Sequence, residues 1–200
     1  MVEWQITNIV FTIKFDTIFS IEKMALILEK KDILVDYDPN SFPALIITLK
    51  NNRKKKSEKI TVFRTGVINV YGLKKINKIY EIIDELKKLF NKIGINLPDN
   101  YEIKLTNIAI TGKFDYNNID IKKIFYDFDD AKYDPEQFPA VTVPYYFSDN
   151  YKVTFNVFRD GHFICVGIKG DMNNIDQHIN EIVNSFQENI LKKYAKALNL

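Results

Sequence analysis

Cys165 is the only cysteine in 200 residues, which excludes an intramolecular disulfide and points to an intracellular protein. Only two histidines occur, His162 and His178. Neither has the cysteine or carboxylate spacing of a metal site, so no metal or cofactor is expected. The seven glycines form no phosphate-binding loop, dinucleotide fingerprint or nucleophile elbow, and nothing makes a case for an enzyme or a small-molecule substrate. No apolar run approaches the roughly 18 residues of a membrane span. The N-terminus also lacks the basic and apolar succession of a secretory signal. Asp127, Asp129 and Asp130 cluster, and read as a solvated patch or a cap for the following turn.

With 46% apolar and 27% charged residues, the chain can bury a core and suits one or two domains. Its net charge of +2 hides an imbalance. Residues 1–100 hold 17 lysines and arginines against 12 acids, +5, and residues 101–200 hold 11 against 14, −3. The first half attracts polyanions more strongly.

The chain repeats itself. Tyr37-Asp38-Pro39-Asn40-Ser41-Phe42-Pro43-Ala44 returns 96 residues later as Tyr133-Asp134-Pro135-Glu136-Gln137-Phe138-Pro139-Ala140. Asp-Pro starts a turn, and each phenylalanine before a proline is pushed toward extended geometry. Each copy reads as a tight loop presenting a phenylalanine at the start of a strand, either displayed or tucked in as a core staple. Thr7-Asn8-Ile9 returns as Thr106-Asn107-Ile108, Phe63-Arg64 with Gly66 as Phe158-Arg159 with Gly161, and Gly72 as Gly167. Two copies are too few for a solenoid. They suggest a pseudo-two-fold domain with repeats over 1–95 and 96–200.

Each repeat reads as strand, short helix, several antiparallel strands and long helix. Strands are expected from Trp4 to Phe15, Ala44–Leu49, Lys59–Arg64 and Val67–Tyr71, then over 101–114, 140–147, 152–158 and 162–166. Ser20 is placed to cap a helix over Ile21–Glu29, and Ile119–Phe128 repeats it. Ile76, Ile79, Tyr80, Ile83, Leu86, Phe90 and Ile93 keep a helical period that Gly94 stops. A last helix is expected from Ile175 to about Leu198. Asn51–Ser57, carrying Arg53, Lys54, Lys55 and Lys56, reads as a polar hairpin, either a solvated tip or a contact for phosphate or protein. Together these elements imply an α+β fold, with helices on one face of an antiparallel sheet.

Side chains alternate between the faces of a strand. Ile60, Val62, Ile68, Val70, Phe155, Val157, Phe163 and Cys165 suit a core. Thr61, Phe63, Asn69, Tyr71, Asn156, Phe158, Ile164 and Val166 form an opposite face that is half apolar, half neutral polar. A solvated sheet face usually carries many charges, so this one suits a binding surface or packing on another sheet or subunit.

From about Gln5 to Tyr194 this plan resembles the TATA-box-binding protein family. The resemblance implies a saddle of two pseudo-symmetric repeats, with a curved antiparallel sheet, helices on the convex face and a stirrup loop at each end. It implies binding and bending of A·T-rich promoter DNA through the minor groove, with recruitment of initiation machinery. The family's central asparagines fall on Asn8 and Asn107, and its wedging phenylalanines on Phe42, Phe63, Phe138 and Phe158. Pro43 and Pro139 stiffen the loops. Val10, Asn69, Tyr71, Ile164 and Val166 complete the implied DNA-binding face. Asp134 and Glu136 match the stirrup acids that meet transcription factor IIB, so a factor IIB-like protein and double-stranded DNA are the implied partners. No membrane partner is implied. An intracellular, soluble placement follows: nuclear in a eukaryote, cytoplasmic in an archaeon, host cell or virion for a virus.

The sequence also departs from the family. Tyr71 and Val166 replace threonines, Thr61 and Asn156 replace leucines, and Asn69 and Ala109 replace valines. Retained wedges over an altered floor lead to the expectation of a protein that bends DNA but reads it loosely. The alternatives are a protein–protein adaptor that has lost specific DNA binding, and a sheet for unusual or damaged DNA.

Overall fold

Period-two alternation of β-branched and aromatic residues builds ten strands among the described residues. The computed structural model describes residues 2–49, 58–116 and 118–195. In chain order the elements are β1 (Glu3–Phe15), α1 (Ile21–Glu29), β2 (Val35–Asp36), β3 (Ala44–Leu49), β4 (Glu58–Phe63), β5 (Val67–Leu73) and α2 (Lys78–Lys92). They continue with β6 (Tyr101–Lys113), α3 (Ile121–Asp127), β7 (Lys132–Asp134), β8 (Phe138–Ser148), β9 (Tyr151–Val157), β10 (His162–Ile168) and α4 (Ile175–Asn189), then a 3-10 turn, Leu191–Lys193. The basic run Arg53–Lys56 lies outside the described residues, as does the end of the expected last helix.

The chain divides into two compact units, Asn8–Thr106 (the first) and Met1–Thr7 with Asn107–Leu200 (the second). Strand order in the first is β2-β3-β4-β5-β1, and in the second β6-β10-β9-β8-β7. Within each unit the core lies between its strands and its helices. In the first, Phe11, Ile13, Ile60, Val62, Ile68 and Val70 are fully buried, with Ile79, Leu86 and Phe90 of α2. In the second, the Phe155 and Phe186 rings stack at 3.9 Å and those of Phe114 and Phe163 at 4.4 Å. Rings in such offset contact add to what burial alone contributes.

The helix ends show what local sequence decides. Asp120 caps α3, its carboxylate accepting the Lys123 N–H at 3.0 Å. Ser20 occupies the matching position before α1, but its side chain caps nothing; its carbonyl accepts the Met24 N–H. After α2, the Gly94 N–H reaches the Asn91 carbonyl and the Ile95 N–H the Phe90 carbonyl, the two-bond pattern that closes a helix end. Tyr80, expected on the buried stripe of α2, is exposed, and Ile82 is buried in addition to Ile83. Helix α4 ends at Asn189, short of Leu198. There Leu191 turns inward and is fully buried. Tyr194 offers its carbonyl to the Asp120 N–H and its hydroxyl to Asp127, contacts that a continuing helix would forfeit. Strands β2 and β7 were not anticipated. They flank the Asp-Pro turns, and Asp134 pairs directly with Phe138.

Candidate nucleic-acid interface

The repeated Thr-Asn-Ile segment does three jobs in each unit. The isoleucine, Ile9 or Ile108, is fully buried. The threonine hydroxyl donates to a strand carbonyl: Thr7 to Ala109 at 3.1 Å, Thr106 to Val10 at 3.0 Å. The asparagine answers a bulge. Between the pairs Phe11–Val70 and Ile9–Leu73, β5 carries one residue more than β1. Between Cys165–Ile110 and Ile168–Ile108, β10 likewise carries one more than β6. Gly72 and Gly167 take φ of +92° and +89° there, a conformation costly for other residues. The bulge frees a glycine N–H. Gly72 donates to Asn8 Oδ1 at 2.9 Å and Gly167 to Asn107 Oδ1 at 2.8 Å. A backbone N–H needs an acceptor, which fixes the amide orientation. The oxygen is consumed, and the NH2 group has no hydrogen-bond partner among the described residues.

Val10 lies two residues after Asn8 on the same face of β1, beside Asn69 and Tyr71 of β5, all partly exposed. In the second unit Asn107 of β6 shares its face with Ile164 and Val166 of β10, also partly exposed. Opposite strand positions give each unit a row across this face, because directly paired residues project together. The first unit's row is Asp36, Ile46, Thr61, Asn69, Thr12. The second unit's is Lys132, Thr142, Asn156, Ile164, Thr111.

Two residues along the chain from Thr61 and Asn156 stand Phe63 and Phe158, each with a second phenylalanine beside it. Phe63 closes β4, and Phe42 with Pro43 lies just before β3. Phe158 follows β9, while Phe138 and Pro139 open β8. The Phe42 and Phe63 rings meet edge to face at 5.9 Å, and Phe138 and Phe158 at 5.6 Å. Phe42 is 41% exposed and Phe138 39%, so these rings are displayed and the core-staple alternative does not hold. Their loops are shaped by the aspartates. Asp38 Oδ1 accepts the Asn40 N–H at 3.0 Å, and Asp134 Oδ1 accepts the Glu136 N–H at 3.1 Å. Asp134 and Glu136 are both exposed, and Asp134 pairs directly with Phe138.

Two threonines of this face were not singled out from sequence. The Thr12 hydroxyl donates to Asn69 Oδ1 at 2.8 Å and that of Thr142 to Asn156 Oδ1 at 2.7 Å. A signal was available for Thr12, which follows Asn8 and Val10 in strict alternation. Thr142 likewise precedes Pro144 and Tyr146 on one side of β8. Among the described residues no helix is long and apolar enough to cross a membrane.

Residues 3–93 and 102–189 match a family model described as transcription factor TFIID, or TATA-binding protein (TBP). The chain is 29% identical over 167 residues to the TATA-box-binding protein of Aeropyrum pernix, covering 84% of this chain and 76% of that protein. It is 28% identical over 184 residues to the TATA-box-binding protein of Picrophilus torridus, covering 92% and 94%. Among solved structures, the TBP of Methanococcus jannaschii matches with a TM-score of 0.69 and 26% identity, over 93% of this chain and 99% of that one.

Proposed function

This chain belongs to the TATA-binding protein family, and on that premise we propose that it binds A·T-rich promoter DNA through the minor groove, bends it and recruits a transcription factor IIB-like protein. The observation that carries the reading is the edge-to-face ring pair of each unit, in which Phe42 and Phe138 are displayed. Large apolar rings held out of the core by an Asp-Pro turn are costly in water, and a base step is a flat apolar partner for them. Unstacking a step costs on the order of a few kcal/mol, offset by the surface that bent DNA brings into contact.

Asn8, Val10, Asn69 and Tyr71 in the first unit, and Asn107, Ile164 and Val166 in the second, form the floor against which the groove lies. Minor-groove edges of A·T pairs carry only acceptors, and guanine adds a projecting donor. The outward NH2 groups of Asn8 and Asn107 suit the former. Phe42, Phe63, Phe138 and Phe158 act as wedges, Phe42 and Phe138 being stiffened by the adjacent Pro43 and Pro139. Asp134 and Glu136 face the protein partner. The role is one of binding, and none of these residues is assigned a catalytic step.

A gel shift on A·T-rich and G·C-rich duplexes tests this reading, with end-to-end fluorescence transfer to measure the bend. Preferential binding of the A·T-rich duplex with shortened end-to-end distance is expected. Binding to neither duplex would transfer the site to the adaptor reading, and equal unbent binding to both would remove the wedge mechanism.

A further inference from the structure

The geometry points to Asn69 and Asn156 as two further base-reading donors, each locked by a threonine and set at non-equivalent places in the two units. This rests on the minor-groove reading above and specifies what the altered floor recognises.

An asparagine amide has two faces, and a protein surface usually leaves both available. Here the oxygen of Asn69 is engaged by the Thr12 hydroxyl and that of Asn156 by the Thr142 hydroxyl. The NH2 group of each has no hydrogen-bond partner among the described residues. Asn8 and Asn107 are held in the same sense by glycine N–H groups. The open faces thus present four amides as donors. A donor meets adenine N3 or thymine O2 productively, and meets the guanine amino group as donor against donor. Because a desolvated donor left unpaired is costly, such an amide enforces an acceptor at the step it faces. The valine or leucine of the family pattern would fill that space without the demand. Substitution of these floor positions therefore adds hydrogen-bond readout, contrary to the looser reading expected from the sequence.

The rows are not copies. Asn69 stands on β5, paired with Thr61 on one side and Thr12 of β1 on the other. The matching position on β10 is Ile164, and the amide moves one strand outward to Asn156 on β9, beside Thr142 of β8. One strand spacing is about 4.8 Å, more than the rise of one base pair, about 3.4 Å. The added donors therefore fall on different steps of the two half-sites. Thr12 and Thr142 are positioning residues. They touch no base, and decide which end of the amide does.

The test uses duplexes carrying 3-deazaadenine or 2-thiothymine at one step at a time, which removes or weakens the minor-groove acceptor. Affinity is measured for the wild-type protein, N69V, N156L, T12V and T12S, with circular dichroism to verify folding. In the wild type, about 5- to 100-fold is lost at one step per added amide. That sensitivity disappears at one step in N69V and at a step not related to it by the half-site symmetry in N156L. T12S keeps the Asn69 sensitivity and T12V diminishes it. Sensitivity unchanged in both N69V and N156L would overturn the inference. So would a wild-type preference for guanine at those steps, which would mean the amides are reversed. Failure of the minor-groove reading itself is seen separately, as no binding of the unmodified A·T-rich duplex.

Discussion

The two units keep identical solutions where the backbone demands them and different ones where only the open face is concerned. Bulge, asparagine and glycine recur with hydrogen bonds of 2.9 and 2.8 Å, and the paired phenylalanine rings recur at 5.9 and 5.6 Å. The floor rows diverge. Asp36 corresponds in the repeat to Lys132, Ile46 to Thr142, Thr61 to Asn156 and Asn69 to Ile164. An unpaired N–H at a bulge has few remedies, whereas partly exposed floor positions such as Asn69 and Ile164 tolerate many residues; Thr61, expected on the open face, is instead buried at 5% exposure. A duplicated scaffold can therefore hold its geometry while the open faces of its two units diverge.

The largest effect should come from removing one wedge pair at a time. F138A with F158A, or F42A with F63A, is expected to cost about 2 kcal/mol or more of DNA affinity, roughly 30-fold, and to remove the bend from one half of the site. The rings' edge contact adds about 0.5–1.5 kcal/mol beyond their burial, so the thermal midpoint of each double variant is measured alongside to separate loss of folding from loss of affinity. Fluorescence transfer with a label near either end of the duplex separates the halves. Equal loss at both ends from one double variant would mean that the wedges do not act by half-site.

Next in size is the bulge. Alanine at Gly72 or Gly167 meets open space or ordinary contacts, the nearest atom to the new Cβ at Gly167 being the Lys152 carbonyl oxygen at 3.5 Å. The cost is thus backbone strain at φ near +90°, about 1–3 kcal/mol. G72A and G167A should lower the urea midpoint by similar amounts. A change confined to one variant would show that the two bulges, alike in geometry, are not alike in energy.

The bulges also mark the limit of what could be read from sequence. Alternation placed Ile60 and Val62 inside and Phe63 outside, because period two is a local property. The repeat located Asn8 with Asn107, and Gly72 with Gly167. What joins Asn8 to Gly72 is strand register over 64 residues, which no local pattern encodes. The Thr12–Asn69 and Thr142–Asn156 bonds escaped for the same reason. The sequence pattern overextends helix α4 because Ile190 and Tyr194 continue its apolar period, while burial of Leu191 and the bonds to Asp120 and Asp127 are tertiary. Ser20 and Asp120 look equivalent as caps in sequence, and only the carboxylate is used as one.

Smaller again is the difference between the two Asp-Pro loops. The second carries Glu136 where the first carries Asn40. Asp134 also holds its own turn through the Glu136 N–H, so changing it would confound shape with charge, and Glu136 is the cleaner probe. Under the proposed recruitment, E136K should weaken ternary assembly about two- to five-fold, the scale of one exposed charge pair, and leave DNA binding alone. N40K, at the matching position, should not affect assembly. A pull-down with a factor IIB-like protein on promoter DNA measures both, and equal effects would remove the assignment of the partner to one loop.

The smallest effect concerns the turn before β10, where the units differ in titratable groups. Asp160 receives the His162 Nδ1 at 2.7 Å and the His162 N–H at 3.1 Å; the matching positions of the first unit are Thr65 and Val67, which do not titrate. The hydrogen bond from the His162 side chain, aided by its backbone N–H and opposed by desolvation, holds the Asp160 carboxyl below its ordinary value of 3.8. A carboxyl depressed in the folded state stabilises it above the unfolded value, and that contribution fades as pH falls through the lower folded value. Acid should therefore loosen the 160–162 turn of the second unit, starting just below pH 4, with no counterpart in the turn at Gly66. The effect is minor because both side chains are more than half exposed, so water screens the pair. Hydrogen exchange at the Gly161, His162 and Phe163 amides between about pH 5 and 2.5, corrected for intrinsic rates, follows it. In D160N the amide oxygen still accepts the His162 N–H without titrating, so protection should hardly vary with pH. An equal loss of protection in wild type and D160N would assign acid sensitivity to other carboxylates and leave the two turns electrostatically alike.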